Sequence, residues 1–331
     1  MRIAISTSTV HGPANPGAPL PAQLLGTLAL DTPDRDGRSY VSAASGLATA
    51  GGAAWVVSDE LGELIRYDQL AAPGRLVPGL RHHKKKPDLE SVLAIPARDG
   101  HTTLVAFGSG SKGDHSRDHA LVREVDAAGH AVGHAVTASL KPLYDALRSQ
   151  LRDGPNIEAA VLRGSELLLF HRGRAAGDRN VIFHLDAERA VTALRGGGKV
   201  DDDLIRGTTE VDLGELGGER LGFSDAHLLA DGRIAFVASA EASDNLHGDG
   251  GTIKGSAVGI LDANLAVQQL RPIAGPPRKV EGIVPTSDLA STGLLGRAAL
   301  IAAHAGPLSF TLVTDPDDAR QASELLVVDL G

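Results

Sequence analysis

Asp88-Leu89-Glu90-Ser91-Val92 sets a pattern that returns three more times, as Asn156-Ile157-Glu158-Ala159-Ala160, Asp225-Ala226-His227-Leu228-Leu229 and Lys279-Val280-Glu281-Gly282-Ile283. Each copy places polar groups two residues apart and then turns apolar. A second hydrophobic run follows each: Thr103 to Phe107, Glu166 to Phe170, Arg233 to Val237 and Ala298 to Ala302. A polar loop comes next, and then a third run: Ala120 to Val125, Asn180 to Leu185, Ala257 to Leu261 and Leu325 to Val328. A weaker copy precedes them, with Ser45 to Thr49, Ala54 to Ser58 and Gly62 to Tyr67 as its three strands. A meander of short strands repeated along the chain is the mark of propeller blades.

The reading is therefore an all-β fold, a single β-propeller spanning 1–331, with five blades favoured and six as the alternative. The last repeat runs out of chain after its third strand. The N-terminal run Ala22 to Leu30 can supply the fourth, closing the ring and removing two exposed sheet edges. Extra strands for a sixth blade would have to come from the long connections Leu140 to Gly154 and Lys199 to Gly222. Two β-sandwich domains are the rival architecture, but no Pro/Ser-rich linker supports them.

Composition agrees. Glycine is abundant at 40 of 331 residues, which suits many tight turns. Only 3% of residues are aromatic, so Val, Leu, Ile and Ala must fill the core. With no cysteine, thiolate metal sites, disulfides and Cys nucleophiles are excluded. The formal charge of −9 argues against general nucleic-acid binding. No run approaches a membrane span and no signal peptide is apparent, so the expectation is a cytoplasmic, soluble protein without a membrane partner. The basic run Arg81-His82-His83-Lys84-Lys85-Lys86 reads as a solvated loop. Asp201-Asp202-Asp203 reads the same way.

Function is expected where inner strands line a channel. Residues i and i+2 of a strand share a face, which gives one layer of Asp88, Asn156, Asp225 and Lys279 and another of Glu90, Glu158, His227 and Glu281. Carboxylates crowded in this way need a counter-charge, a hard cation or water. Calcium suits oxygen donors. Zinc suits this set poorly, with one His and no Cys. The proposed metal set is Glu90, Asn156, Glu158, Asp225 and Glu281. Loops at the same end bring His171-Arg172, His304 and the Gly/Ser-rich Gly108 to Arg117, which carries Lys112. His227, His171 and His304 are the acid–base candidates. Lys112, Arg172 and Lys279 would hold an anionic small-molecule substrate. No nucleophile elbow, P-loop or dinucleotide fingerprint is present, and Asp244 to Asp249 lacks the spacing of an EF-hand loop.

On Asp88-Leu-Glu90-Ser, Asn156-Ile-Glu158-Ala and Val280-Glu281-Gly-Ile the chain resembles the esterase-like phytase and SdiA-regulated propeller families. Those carry Asp-Leu-Glu-Gly and Glu-Gly motifs at the starts of inner strands. Ser91 and Ala159 stand where glycine is usual, and His227 where a carboxylate is expected. More distantly it resembles calcium-dependent lactonase and phosphotriesterase propellers, in which Glu, Asn and Asp converge on one ion. The resemblance implies a calcium-dependent hydrolase of a small ester, lactone or phosphoester. A non-catalytic propeller that binds a small molecule or a protein is the alternative, and a purely structural scaffold the third.

Overall fold

A computed structural model describes residues 6–12, 16–80, 86–97, 99–173, 178–242, 251–295 and 306–331. The chain opens with β1 (Ser6–His11) and β2 (Ala22–Thr27) and then runs through five meanders. Blade one is β3 (Ala44–Ala50), β4 (Ala53–Ser58), β5 (Leu64–Tyr67) and β6 (Arg75–Val77). Blade two is β7 (Leu89–Pro96), β8 (Thr102–Gly108), β9 (His119–Val125) and β10 (Ala131–Ser139). Blade three is β11 (Ile157–Arg163), β12 (Glu166–His171), β13 (Asn180–Asp186) and β14 (Ile205–Asp212). Blade four is β15 (Glu215–Leu216), β16 (Glu219–Leu228), β17 (Ile234–Ala242), β18 (Thr252–Leu261) and β19 (Val267–Pro272). Blade five is β20 (Lys279–Pro285), β21 (Ser309–Asp315) and β22 (Glu324–Asp329), and its outer strand is β2.

This is a five-bladed β-propeller. The expected closure is present: β2 runs antiparallel to β22, from Ala22 opposite Val328 to Thr27 opposite Glu324. The six-blade alternative falls. Leu140 to Gly154 contains helix α1 (Lys141–Arg148), and Lys199 to Gly222 contains β14, β15 and the start of β16. Helix α2 (Ala187–Arg195) is inserted in blade three and α3 (Thr286–Ser291) in blade five. The second strand of blade five is Ser309–Asp315; the expected run Ala298 to Ala302 lies outside the described residues.

Five apolar clusters lie in the five interfaces between neighbouring blades. Trp55 and Val57 meet Leu104 and Ala106 between blades one and two. Phe170, Phe223 and Phe236 form a chain of edge-to-face contacts between blades three and four, with ring centroids 5.1 and 5.3 Å apart. Strands buried on both faces must be apolar along their length, which explains the Leu/Val/Ala runs. Near the axis the inner strands approach so closely that side chains must shrink. A Cβ on Gly282 would lie 2.5 Å from Val313 Cγ2 and 3.2 Å from the Leu47 backbone nitrogen.

Candidate functional site

Every inner strand carries a register shift at the same place. It falls between Ala44 and Gly46, Leu89 and Ser91, Ile157 and Ala159, Phe223 and Asp225, and Val280 and Gly282. A bulge leaves one residue unpaired and re-aims its side chain. The five extra residues are Ser45, Glu90, Glu158, Ser224 and Glu281. Carboxylate oxygens of Glu90, Glu158 and Glu281, from three blades, lie within 4.8 Å of one another.

The bulges correct the repeat alignment in blade four. Its equivalent of Glu90 is Ser224, not His227, because the polar pair Asp225/His227 imitates the motif three residues late. Asp225 occupies the small-residue position of Gly46, Ser91, Ala159 and Gly282. Its carboxylate is buried and accepts the backbone N–H groups of Ile283 (2.9 Å) and Ala226 (2.8 Å). It stands below the three glutamates rather than in the upper layer with Asp88 and Asn156. His227 lies further along β16, opposite Ala235, with Nε2 3.4 Å from Asp288 of α3. It is therefore remote from the glutamates.

Other expected residues do converge. Arg172 leaves the end of β12, crosses over blade four and reaches blade five. Its guanidinium donates to Phe223 O (2.8 Å), to Ser224 Oγ and to Glu281 Oε1 (2.9 Å), and lies 3.6 Å from Glu158 Oε1. Gly222 makes that path possible, since a Cβ there would fall 2.5 Å from Arg172 Cγ. Lys279 Nζ sits 3.1 Å from Asp315 and 3.4 Å from Glu281. Asn156 donates its amide to Glu158 Oε1. His171 is buried behind this pair. Its Nδ1 accepts the Asn156 backbone N–H at 3.0 Å, and its Nε2 is 3.7 Å from Asp178. That is a bracing position, not an exposed acid–base one. Lys112 lies in the β8–β9 loop, where its carbonyl receives Arg148. His304 lies outside the described residues, and the blade-five equivalent of His171 is Thr314, which pairs with Val280 as His171 pairs with Ile157.

Four contributors were missed. Asp59 follows the second strand of blade one and Asp315 ends that of blade five, each at the position Arg172 holds in blade three. Lys86, read as part of a solvated run, turns inward with Nζ 2.5 Å from Asp59 and 4.0 Å from Asp88. Buried Arg117 pairs with Asp88 at 2.7 Å. The loop Ser58-Asp59-Glu60 is one of those expected at this end, whereas Asp315 was out of sight because the second strand of blade five was expected at Ala298 to Ala302 and lies at Ser309–Asp315.

Charge at the channel mouth is nearly, but not fully, compensated. Among the described residues Asp59, Asp88, Glu90, Glu158, Glu281 and Asp315 face Lys86, Arg117, Arg172 and Lys279, a formal excess of two acids that the raised Glu90 and Asp59 carboxyls can relieve by keeping protons. Glu90 has no hydrogen bond or ion pair among the described residues. Burial, then repulsion from Asp88, Glu158 and Asp59, pushes its carboxyl well above the usual range. Glu281 Oε2 is buried without a hydrogen-bond partner among the described residues. For Arg172, burial pulls the pKa down, but Glu158 and Glu281 more than offset it and the net shift is upward. Lys279 shows the same balance, with Glu281 and Asp315 outweighing burial.

Burial likewise pushes Asp59 up to about 7, against the pull of Lys86. An unfolded aspartate titrates near pH 4, at about 3.9. Between these values the folded chain keeps a proton that the unfolded chain releases. Stability is thus greatest below that window and falls as pH rises through it, by at most about 1.4 kcal/mol per pH unit from this group. Urea unfolding across the window should show the decline, and Asp59→Asn should lessen its slope, leaving the share of the likewise raised Glu90 and Asp225; an unchanged slope in the variant would remove Asp59 as a source.

Residues 40–330 match the family described as "Family of unknown function (DUF6929)". The chain belongs to that family. No curated protein matches this DUF6929 chain. Among solved structures it is similar to MPT-4, a mannose phosphorylase from Leishmania mexicana in complex with phosphate ion, at 13% identity and a TM-score of 0.41, covering 99% of this chain and 88% of that one. A putative gluconolactonase aligns at 13% identity and 0.41, covering 96% and 94%. The GH43 β-1,3-galactosidase BT3683 with galactodeoxynojirimycin aligns at 11% and 0.44, covering 91% and 94%. Similarity at this level carries no argument about what the chain does. No helix among the described residues is long and apolar enough to cross a membrane.

Proposed function

We propose that this DUF6929 protein is a calcium-dependent hydrolase of a small ester, lactone or phosphoester, acting at the mouth of the propeller channel. The observation that carries the reading is the convergence of Glu90, Glu158 and Glu281 from three blades within 4.8 Å, with Glu90 unpartnered among the described residues. Oxygen donors at this spacing suit a hard cation that takes oxygen ligands at about 2.3–2.6 Å. The buried Glu281 Oε2, without a hydrogen-bond partner among the described residues, supports a missing positive ligand. Glu90, Glu158 and Glu281 would hold the ion. When bound, it would polarise the substrate's acyl or phosphoryl oxygen as a Lewis acid.

The chain's own groups have distinct tasks in this scheme. Arg172 fixes Glu158 and Glu281 relative to each other across blade four. Lys86 and Lys279, paired with Asp59 and Asp315, would together with the bound ion turn the mouth toward positive charge and so favour an anionic substrate. Asp59, the carboxyl pushed up to about 7, takes the acid–base role first sought among the histidines, because a group that titrates near neutrality can both accept and return a proton.

A metal-free binding face is the second reading, favoured by one contact: the Arg172 guanidinium already neutralises part of the glutamate charge. Calcium titration by calorimetry on chelator-treated protein separates the two. The hydrolase reading expects binding at about micromolar Kd or tighter, abolished in Glu90→Gln/Glu281→Gln, together with calcium-dependent turnover of lactone or phosphoester substrates. Folded wild-type protein that takes up no calcium would leave the metal-free face.

A further inference from the structure

A second concavity lies on the outer flank of blade three, built mostly from residues the channel does not use; Asp178 also faces His171 at 3.7 Å. It encloses about 460 Å³, within the usual range of roughly 300–1,000 Å³ for small-ligand pockets. Val181, Phe183 and Leu151 give it an apolar floor. Arg179 and Glu210 form an ion pair on one wall, and Asp178 and Arg152 add one charge of each sign. Thr7, Thr208, Ser149 and Gln150 supply hydroxyl and amide groups around the rim.

One wall has no other evident purpose. β1 adds to the outer edge of blade three in parallel register, with Thr7 opposite Thr208. Among the described residues no other blade has a fifth strand on its outer side, and ring closure is the work of β2. From this added strand Thr7 contributes to the lining of the concavity.

We propose that the flank of blade three is a second ligand site, and that it takes a neutral polyhydroxylated molecule the size of a mono- or disaccharide. The lining has two acids and two arginines, so it offers no net attraction to an anion or a cation. A carboxylate or phosphate ligand would have to displace Glu210 from Arg179. A wholly apolar ligand would desolvate charged walls without repaying them. A sugar hydroxyl both donates and accepts, so it can bond to either member of such a lining, while the C–H face of a ring rests on Val181 and Leu151. This inference is independent of the channel reading.

The test uses full-length protein and D-glucose, D-galactose, D-mannose, L-arabinose, maltose and lactose, with acetate and inorganic phosphate as charged probes. Saturation-transfer NMR and calorimetry would report binding. At least one sugar should bind in preference to the charged probes. Thr208→Trp, which fills the concavity, should weaken it by about tenfold or more, equivalent to about 1.4 kcal/mol. Gln150→Ala, at an exposed rim position that does not threaten folding, should weaken it in the same direction. Glu90→Gln/Glu281→Gln should leave it unchanged. The proposal is overturned if no sugar binds, if sugar binding survives both flank variants, if the channel variant abolishes it, or if phosphate or acetate binds the flank instead.

Discussion

Arg172→Met is expected to lower the unfolding free energy by about 3–5 kcal/mol near neutral pH, the range for removing one partner of a buried ion pair. The Arg172 side chain is only 13% exposed, and the side chains it serves are less so: 1% for Glu281 and 4% for Glu158. Methionine fills the stem's path but leaves both carboxylates in low dielectric. Lys279 still reaches Glu281 and the Asn156 amide still reaches Glu158, so what is lost is the guanidinium charge between the two carboxylates. Urea denaturation should show the loss. At about pH 5 it should shrink, because carboxylates stranded without a counter-charge can discharge by taking up protons. Calcium should restore more stability to the variant than to the wild type if the three glutamates hold an ion.

Two controls bear on the cause. Gly222→Ala leaves every charge in place but obstructs the stem, so it should reproduce part of the loss, about 1–3 kcal/mol as for an overpacked core. Arg172→Met/Glu281→Gln should recover part of what the single change costs, because one stranded carboxylate is gone. A deficit below about 1 kcal/mol in Arg172→Met would place this pair with ordinary surface ion pairs and detach Arg172 from the stability of the ring.

The same residues mark how far the sequence could be read. Blade number followed from the recurrence of apolar runs, and Glu90, Glu158 and Glu281 followed from the motif they share. The motif failed in blade four because a bulge breaks the alternation of faces. Counting i and i+2 from Asp225 finds His227, whereas the bulge is at Ser224, where a hydroxyl stands in place of a carboxylate and Arg172 arrives from the neighbouring blade. No local pattern reveals a side chain that crosses from blade three to blade five; the nearest trace is the glycine at 222 that lets it pass. Lys86 was hidden for a different reason. Six consecutive basic or imidazole residues read as one solvated stretch, yet the last of them is held by Asp59 and Asp88.

Removing residues 1–27 is expected to abolish the cooperatively folded monomer. β2 is the outer strand of blade five, and without it the edge of β22 lies bare over Leu325, Leu326, Val327 and Val328. An apolar, unpaired edge is a template for pairing with other chains. The truncation also removes Leu20, which is 1% exposed and packs with blades four and five, and takes away the support of Leu28, fully buried between blades five and one. Each such leucine contributes about 1.5–3 kcal/mol on burial, and the strand pairing is lost as well. A domain's whole margin is only about 5–15 kcal/mol. Size-exclusion chromatography and circular dichroism should therefore report aggregation or a chain without a sharp unfolding transition. A synthetic peptide of residues 16–30 added in trans should restore the transition, because the missing strand pairs antiparallel and needs no covalent link to find its register. A soluble truncated chain that unfolds cooperatively, with stability unchanged, would mean that the ring closes without β2. Removal of residues 1–12 alone is the informative contrast. It deletes β1, which lies on an edge whose next strand, β14, already belongs to a complete four-stranded blade. That shorter truncation should leave the propeller folded while opening the flank of blade three, so the two deletions separate the strand that closes the ring from the strand that shapes a surface.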